Sequence, residues 1–170
     1  SAHPQADPRR ESARRSLVRI RRMISPVTDA GMPSIAAPGE RSIRRTVDEW
    51  LDVSQIPCAS AFLSALVVSG LPTNEFTYLG FIPHKKGRQT FIKSLPGFEH
   101  TVVFYESPHR IQRLMTEMLE FLPNEAPVVV ARELTKMFEE VVRGPLATVA
   151  AKIADKEPRG EYVVVVGTIR

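Results

Sequence analysis

Short runs of β-branched and aromatic residues alternate with helical patterns along this chain, and that alternation most constrains its fold. The runs FTYLGFIP, HTVVFY, APVVVARELT, EEVVRG and GEYVVVVGTI all have strand character. Between the second and third runs, SPHRIQRLMTEMLEFL has the apolar periodicity of one helix face, formed by Ile111, Leu114, Met115, Met118 and Leu122. Alternating strands and helices predict an α/β fold.

The alternation extends into the first half of the chain, where the elements are shorter and less regular. Helices are predicted near residues 7–23 and 40–51, and again across CASAFLSALVVSG, which Gly70 ends. Short strands are predicted at residues 24–27 and 53–57, and Gly80 is expected to form a bulge in the strand that begins at Phe76. The Gly-Leu-Pro-Thr joint at Ser69–Thr73 predicts two α/β parts, residues 1–69 and 70–170.

Composition narrows the class of protein. Hydrophobic residues make up 43% and charged residues 25%, which is typical of a globular protein. The single cysteine, Cys58, cannot form an internal disulfide and fits a reducing compartment. The arginine-rich N-terminus lacks the apolar core of a signal peptide, and the apolar stretch ASAFLSALVV is shorter than the roughly 20 residues of a membrane span. We therefore expect a cytoplasmic protein that is not membrane-bound.

Two basic segments favour a phosphate-bearing partner. Residues 1–23 contain seven arginines against Asp7 and Glu11, within a chain of net charge +4. The turn HKKGR, His84–Arg88, places three cations around a glycine, a pattern that suits contacts with polyanions. A solvated helix face and a solvated turn explain the same residues equally well, so both interpretations stay open.

Ionisable residues follow two of the predicted strands directly. In FYESPHR, Ser107 and Pro108 are explained as the N-cap and first turn of the next helix. That explanation leaves Glu106 and Arg110 without a role. In ARELTK, the pair Arg132–Glu133 follows a buried strand in the same way. Two strand ends with a Glu/Arg pair predict a shared polar crevice.

Two segments of the first half also have the character of a site. TDAGMP, Thr28–Pro33, follows a predicted strand, where a carboxylate beside a small turn can approach a ligand. The same residues are also ordinary turn chemistry. Ser60, in IPCASA, either faces a ligand or caps a helix. A serine-hydrolase site is disfavoured because there is no G-x-S-x-G motif, and the scattered histidines disfavour a metal site.

Five phrases in this order resemble the ribosomal RNA small subunit methyltransferase I family of the tetrapyrrole methylase superfamily: TDAGMP, GLPTNEFTYLGFIPHKKGRQTF, FYESPHR, ARELTKMFEEVVRG and GEYVVVV. The resemblance runs from about His3 to Val166 and is strongest from Gly70 onward. It implies S-adenosylmethionine as the methyl donor, and methylation of the 2′-hydroxyl of a cytidine ribose in small-subunit rRNA. It also implies two α/β domains with the cofactor in the cleft between them, and a homodimer.

Carried over onto this sequence, the resemblance implies roles for individual residues. Those on the cofactor side are Asp29, Ala30, Gly31, Pro33, Ser60, Ala61, Tyr105 and Arg132. Those implied to contact phosphates of rRNA in the 30S subunit are Lys85, Lys86, Arg88 and Arg110. Methylation of a hydroxyl requires loss of a proton, and the candidate bases are Glu106 and Glu133.

The sequence departs from the family pattern in its first half. Met32 stands where the family has Thr, Ala36-Ala37 stand where it has Ser-Asp, and PCASA replaces Pro-Gly-Pro-Ser-Ala. The family's first βα units and first cofactor loop have no counterpart, since Ser1 aligns inside the first domain. We therefore expect an N-terminally truncated chain with an incomplete first part, an exposed sheet edge and weak activity on its own.

Three functions stay open at this point. The chain is an rRNA 2′-O-methyltransferase or part of one, a methyltransferase that acts on a tetrapyrrole or other small molecule, or a non-catalytic module for RNA binding or dimerisation. The HKKGR turn disfavours a small substrate, which needs no cluster of cations. The missing first cofactor loop favours the non-catalytic module.

Overall fold

The computed structural model describes residues 40–49, 53 and 60–169. Their elements in chain order are α1 (Glu40–Asp48), α2 (Ala61–Ser69), β1 (Phe76–Phe81), α3 (Arg88–Ser94), a 3-10 turn (Leu95–Gly97), β2 (Thr101–Glu106), α4 (Pro108–Phe121), β3 (Pro127–Arg132), β4 (Glu140–Pro145), α5 (Leu146–Ala154) and β5 (Tyr162–Val166). Strands and helices alternate as predicted, so the α/β class is confirmed. The helix and strand predicted before residue 40 lie outside the described residues, as does nearly all of the strand predicted at 53–57.

The strands of the described residues form one mixed sheet in the order β1-β2-β5-β3-β4. β1 and β2 are parallel, β5 is antiparallel to both β2 and β3, and β4 is antiparallel to β3. β1, β2 and β3 therefore point the same way, and their last residues meet at one end of the sheet. We call this the carboxyl end of the sheet; open α/β sheets usually bind ligands there.

Both faces of the three central strands, β2, β5 and β3, are buried. On one face, helices α4 and α5 pack over a core that includes Phe104, Val128, Val130, Val142 and Val164. On the opposite face, helix α2 packs over Val103, Val129, Ala131, Val163 and Val165. Because the central strands are covered on both sides, they carry continuous valine runs where a half-exposed strand would alternate.

Helix α2 lies before the predicted joint at Ser69–Thr73, yet it packs on the sheet that follows the joint. Gly70 ends the helix as predicted, in the left-handed conformation at φ 76°. Arg143 of β4 donates hydrogen bonds of 2.8 and 2.7 Å from Nε and Nη2 to the Val68 carbonyl. Helix α2 thus shares a core with the second part. The division at residue 69 stays a prediction, because most of the first part lies outside the described residues.

Helix α4 begins directly after β2. Pro108 occupies its first turn and Ser107 its N-cap position, as predicted. Within the described part of the chain, however, the Ser107 side chain makes no capping hydrogen bond. The Ser107 backbone N–H donates to Glu106 Oε1 at 2.7 Å, so the predicted capping role of the hydroxyl is wrong. The five residues predicted to form the apolar face are all buried: Ile111, Leu114, Met115 and Met118 lie within α4, and Leu122 is its C-cap.

Strand β1 contains the predicted bulge. Its register with β2 shifts between Tyr78 and Phe81, and Gly80 within this interval has φ 64°. One extra residue reverses the alternation of side chains, and Phe81 consequently contacts Tyr105 on the same side as Tyr78. The bulge therefore brings aromatic rings together at the carboxyl end of the sheet.

Candidate functional site

Four side chains form a row across the carboxyl end of the sheet. The strand register pairs Glu106 with Tyr162, Tyr162 with Arg132, and Arg132 with Glu140. Neighbouring strands lie roughly 4.8 Å apart, so the Cα atoms of Glu106 and Arg132 are about 10 Å apart on one face. The two polar strand ends therefore lie at the same end of the sheet. The shared polar crevice stays a prediction, because Glu106 is not among the residues that line the cavity described below.

The end of β2 belongs to a buried charge cluster, Arg88, Glu106 and Glu117. Arg88 donates from Nε to Glu117 Oε2 at 2.6 Å and from Nη1 to Glu106 Oε2 at 2.8 Å. The three residues are only 2%, 2% and 9% exposed. Burial disfavours the charge of Arg88, but the two carboxylates outweigh it and raise its pKa. Burial likewise opposes ionisation of Glu117, yet Arg88 and Arg113 lower its pKa.

Glu106 also fixes the start of helix α4 and the basic turn. Arg110 Nε donates to Glu106 Oε1 at 2.9 Å, and Arg110 Nη1 lies 3.2 Å from His84 Nδ1. Because a guanidinium can only donate, His84 Nδ1 is the acceptor. Both oxygens of Glu106 therefore accept hydrogen bonds from arginine, and the carboxylate connects the turn before α3 to the first turn of α4.

Arg88 requires a correction. The sequence predicted a surface cation that contacts phosphate, as part of HKKGR. The structure instead places Arg88 inside, because Gly87 adopts φ 84° and helix α3 begins immediately afterwards. A guanidinium that is 2% exposed and bound to two carboxylates is not available to a phosphate. Lys85 and Lys86 are exposed, so only these two lysines of the turn are free to contact a polyanion.

The end of β3 is an open charge cluster, Glu133, Lys136 and Glu161. Lys136 Nζ lies 3.0 Å from Glu133 Oε1 and 3.1 Å from Glu161 Oε2. The Glu161 backbone N–H also donates to Glu133 Oε1 at 2.9 Å. That backbone bond and then Lys136 lower the pKa of Glu133. Glu133 and Thr135 have φ of 49° and 66°, a left-handed conformation that non-glycine residues rarely adopt.

A small cavity opens beside Glu133. Its volume is about 140 Å³, and its lining residues are Arg132, Glu133, Phe138, Arg159 and Gly160. Among the described residues, the buried Nε of Arg132 has no hydrogen-bond partner. A buried N–H group without a partner is costly. A Cβ at position 160 would lie 2.4 Å from Cδ of Glu133, so this glycine leaves the space that the carboxylate occupies.

The cavity can hold only part of a ligand the size of S-adenosylmethionine. Small-molecule sites typically enclose roughly 300–1,000 Å³, well above the volume seen here. The chemistry of the lining fits one wall of such a site, since it offers the guanidinium of Arg132 and the carboxylate of Glu133. The rest of the enclosure has to come from outside the described residues.

Aromatic rings cover the opposite face of the carboxyl end. Ring centroids lie 4.3 Å apart for Phe62 and Tyr78, 5.8 Å for Tyr78 and Tyr105, and 5.1 Å for Phe81 and Tyr105. We call these four residues the aromatic platform. Burial, with a smaller effect of Tyr78, raises the pKa of Tyr105. Tyr105 is half-buried, whereas Tyr78 and Phe81 are 44% and 67% exposed.

Six of the residues predicted to bind the cofactor either do not line this cavity or lie outside the described residues. Asp29, Ala30, Gly31 and Pro33 lie outside the described residues. Ser60 occupies the N-cap position of α2, and Ala61 is exposed in its first turn. Within the described part of the chain, neither residue lines the cavity beside Glu133.

Sequence reasoning missed Glu117 and the aromatic platform, although both left a signal. Glu117 lies between Leu114 and Met118 on the apolar side of α4, and a carboxylate in that position indicates a buried partner. For the platform, the signal was the bulge predicted at Gly80, which places Phe81 on the side of Tyr78.

The described residues contain neither a membrane span nor a metal cluster. No helix within residues 40–49 or 60–169 is long and apolar enough to cross a membrane. The same part of the chain holds no group of three or more His, Cys, Asp or Glu side chains that could bind a metal ion.

Comparison with known proteins gives the family. A family model described as Tetrapyrrole (Corrin/Porphyrin) Methylases matches residues 4–150. The chain is also similar to proteins named Ribosomal RNA small subunit methyltransferase I. Sequence identity is 39% to the protein of Synechocystis sp., 41% to that of Xylella fastidiosa and 36% to that of Thermotoga maritima. The three alignments cover 84%, 82% and 88% of this chain, and 52%, 52% and 67% of the respective relative. The chain thus spans about half the length of the first two relatives.

Solved structures match at lower similarity. The cobalt precorrin-4 methyltransferase CbiF aligns with a TM-score of 0.49 and 14% sequence identity, over 75% of this chain and 56% of that chain. The methyltransferase CobJ aligns with a TM-score of 0.48 and 17% identity, over 98% and 73%. At these TM-scores the alignments carry no argument about the site.

Proposed function

Because this chain belongs to the tetrapyrrole (corrin/porphyrin) methylase family, we propose that it forms part of an S-adenosylmethionine-dependent methyltransferase of small-subunit rRNA. The proposed product is the 2′-O-methyl ribose of a cytidine. The observation that carries the proposal is the similarity, 36–41% identity over more than four fifths of the chain, to proteins named for that rRNA activity. The proposed substrate is the 30S subunit, and the proposed working form is a cytoplasmic homodimer.

Residues at the carboxyl end of the sheet are proposed to form one wall of the cofactor site. S-adenosylmethionine supplies an electrophilic methyl group when bound. Arg132 and Glu133 line the cavity at this end of the sheet. Tyr105 lies at the same end on the opposite face, so it is proposed to contact a different part of the cofactor. The other wall is proposed to include Asp29–Pro33, together with Ser60 and Ala61.

Lysines of the basic turn are proposed to hold the rRNA backbone. Lys85 and Lys86 are exposed, and the turn that carries them is fixed by the buried Arg88 immediately after it. Arg110 is 21% exposed at its side chain and is bound to Glu106, so it is proposed to contribute positive potential more than direct contact. A surface of this kind binds phosphate without reading sequence.

Neither candidate carboxylate is well suited to remove the proton from the ribose hydroxyl. Glu106 is buried and accepts hydrogen bonds from two arginines on its two oxygens. Glu133 has a lowered pKa, and a weaker base takes a proton less readily. We therefore propose that Glu106 positions the basic turn and that much of the rate comes from orienting the hydroxyl towards the donor methyl.

Cofactor binding is the first test. Isothermal titration of the 170-residue chain with S-adenosylhomocysteine should show binding that Arg132→Ala weakens and that Lys152→Ala, at an exposed position on α5, leaves unchanged. Single-turnover transfer of labelled methyl groups to 30S subunits should then modify a cytidine 2′-oxygen. Absence of any S-adenosylhomocysteine binding would leave the non-catalytic module as the function of this chain.

RNA binding is the second test. Lys85→Ala/Lys86→Ala should weaken binding to a small-subunit rRNA fragment and reduce the slope of log K against log salt by about 1.4, which corresponds to two single-strand phosphate contacts. The matched control is Lys152→Ala, an exposed lysine in the last turn of α5. Equal slopes for the parent and the double variant would show that the turn is only solvated.

A further inference from the structure

We propose that the aromatic platform is a stacking surface for unpaired RNA bases. The inference rests on the proposed function, because it assigns a contact surface for the same rRNA substrate. No part of the resemblance assigns a role to Tyr78 or Phe81, and the exposure of both rings is a property of the folded chain.

The rings of the platform are ordered by one another and by the sheet. Tyr78 stacks on Phe62 of α2 with an interplanar angle of 17°, and Tyr105 meets Tyr78 edge-on at 81°. Phe81 packs against Tyr105 from the end of β1. A ring that is already held in place loses little side-chain freedom when a base stacks on it, so this arrangement suits binding.

Exposure singles out Phe81 as the outermost ring. A phenylalanine that is 67% exposed at the end of a strand contributes little to the core. The Gly80 bulge is the reason for its position, because regular alternation would have turned this side chain to the other face, where Leu79 packs against the buried core. The chain thus uses a bulge to present an apolar ring to solvent.

The basic turn adjoins the platform and supplies the matching charge. Phe81 precedes His84 by three residues, which span at most about 10 Å of extended chain. Lys85 and Lys86 follow, both exposed. The carboxylate that influences Tyr105 is that of Glu161, which shares Lys136 with Glu133. Rings beside exposed lysines favour a polyanion with flat apolar groups over an apolar protein surface.

Single-stranded nucleic acid has this combination of groups. Proteins bind it by stacking bases on aromatic side chains while cations follow the backbone. Bases in a duplex are already stacked and cannot lie on an external ring. The platform therefore predicts a preference for unpaired RNA, and a ribose next to a base held on Phe81 is freed from helical structure for modification.

The experiment compares two 12-residue oligoribonucleotides with the same number of phosphates, poly(U) and an abasic strand, in binding to the 170-residue chain. The parent should bind poly(U) about tenfold more tightly than the abasic strand, a modest value for one base–ring stack. Phe81→Ala should abolish that ratio. Phe81→Leu should largely abolish it too, since it keeps an apolar side chain without a ring. Leu119→Ala, at an exposed residue of α4, is the control that should retain the ratio.

Each outcome has one meaning. If Lys85→Ala/Lys86→Ala weakens both strands equally and Phe81→Ala weakens only poly(U), the platform binds bases. If poly(U) and the abasic strand bind the parent equally, the stacking proposal is wrong while the rRNA function stands. If Phe81→Ala lowers the unfolding temperature and leaves both affinities unchanged, the ring belongs to the protein's own packing. If the parent binds no RNA at all, the rRNA function itself fails.

Discussion

The ends of β2 and β3 look alike in sequence and differ in structure. Both strands run from buried valines into a Glu/Arg pair at the same end of one sheet. At the end of β2, Glu106 is 2% exposed and both of its oxygens accept hydrogen bonds from arginine. At the end of β3, Glu133 has a left-handed backbone and borders a cavity, and Arg132 keeps a buried donor without a partner among the described residues.

The difference shows that charge at a strand end has two uses. A buried and paired carboxylate fixes the chain segments around it, whereas an open and strained one leaves polar groups available to a ligand. Each end holds one buried arginine nitrogen without a hydrogen-bond partner among the described residues, Nη2 of Arg88 and Nε of Arg132. Backbone strain and the cavity are what set the end of β3 apart, and strain concentrates where proteins bind or react. We therefore expect substitutions at the end of β2 to act mainly on stability, and substitutions at the end of β3 to act mainly on ligand binding.

The largest expected effect is loss of stability from Arg88→Met. The substitution removes the shared partner of the buried carboxylates of Glu106 and Glu117, which keep only Arg110 and Arg113. The expected cost is about 3 kcal/mol of the free energy of unfolding, the low end for a broken buried ion pair. Urea unfolding measures this loss of free energy. Lys136→Met is the counterpart at the end of β3, and its urea midpoint should stay close to that of the parent because exposed ion pairs contribute little to stability. Equal losses for the two variants would erase the distinction between the strand ends.

A smaller loss is expected from Gly160→Ala. Gly160 has φ 77°, and its new Cβ would meet Cδ of Glu133 at 2.4 Å, so about 1–2 kcal/mol should be lost in thermal unfolding. Gly97→Ala is the control, since its Cβ would meet no atom within 4 Å in the described residues. Adding Glu133→Ala should recover part of the loss by removing the clash. Simple additivity of the two changes would mean that Gly160 and Glu133 are not coupled.

The pH dependence should also separate the two ends. Glu117 has a pKa below its ordinary value of 4.5 in the folded state. Its contribution to stability is therefore complete above pH 4.5 and is lost as the pH falls below that value, because the unfolded chain takes up the proton first. Glu117→Gln should flatten the acid side of the stability curve. The pKa of Glu133 is also lowered in the folded state. Solvent screens its interactions with Lys136 and the Glu161 backbone, so Glu133→Gln should flatten the stability curve less.

The smallest expected effect has the opposite sign. Thr135 is β-branched and adopts φ 66°, so Thr135→Gly should relieve strain and stabilise the chain by about 0.5 kcal/mol after the entropy cost of glycine. Thr148→Gly, at an exposed position inside α5, should instead destabilise by about 0.3 kcal/mol, the difference between threonine and glycine in helix propensity. Calorimetry of both variants shows whether each substitution raises or lowers the free energy of unfolding. Destabilisation by Thr135→Gly would mean that this backbone is not strained.

Local patterns in the sequence predicted the elements well. The apolar face of α4, the end of α2 at Gly70 and the bulge at Gly80 all depend on neighbours a few residues away. Burial of Arg88 depends instead on Glu106 and Glu117, which lie 18 and 29 residues further along the chain. The five residues of HKKGR have the pattern of an exposed basic turn, so they gave no sign that Arg88 is buried.

The order of the strands was equally beyond local patterns, and it has a consequence for how the chain folds during synthesis. β5, the last strand of the described residues, lies between β2 and β3, which do not pair with each other. Residues 101–145 emerge from the ribosome before residues 162–166 do, so a nascent chain would hold two half-sheets with open edges. Such edges favour aggregation and contact with chaperones. When β5 emerges, it can pair with β2 and β3 and join the two half-sheets into one sheet in a single late step.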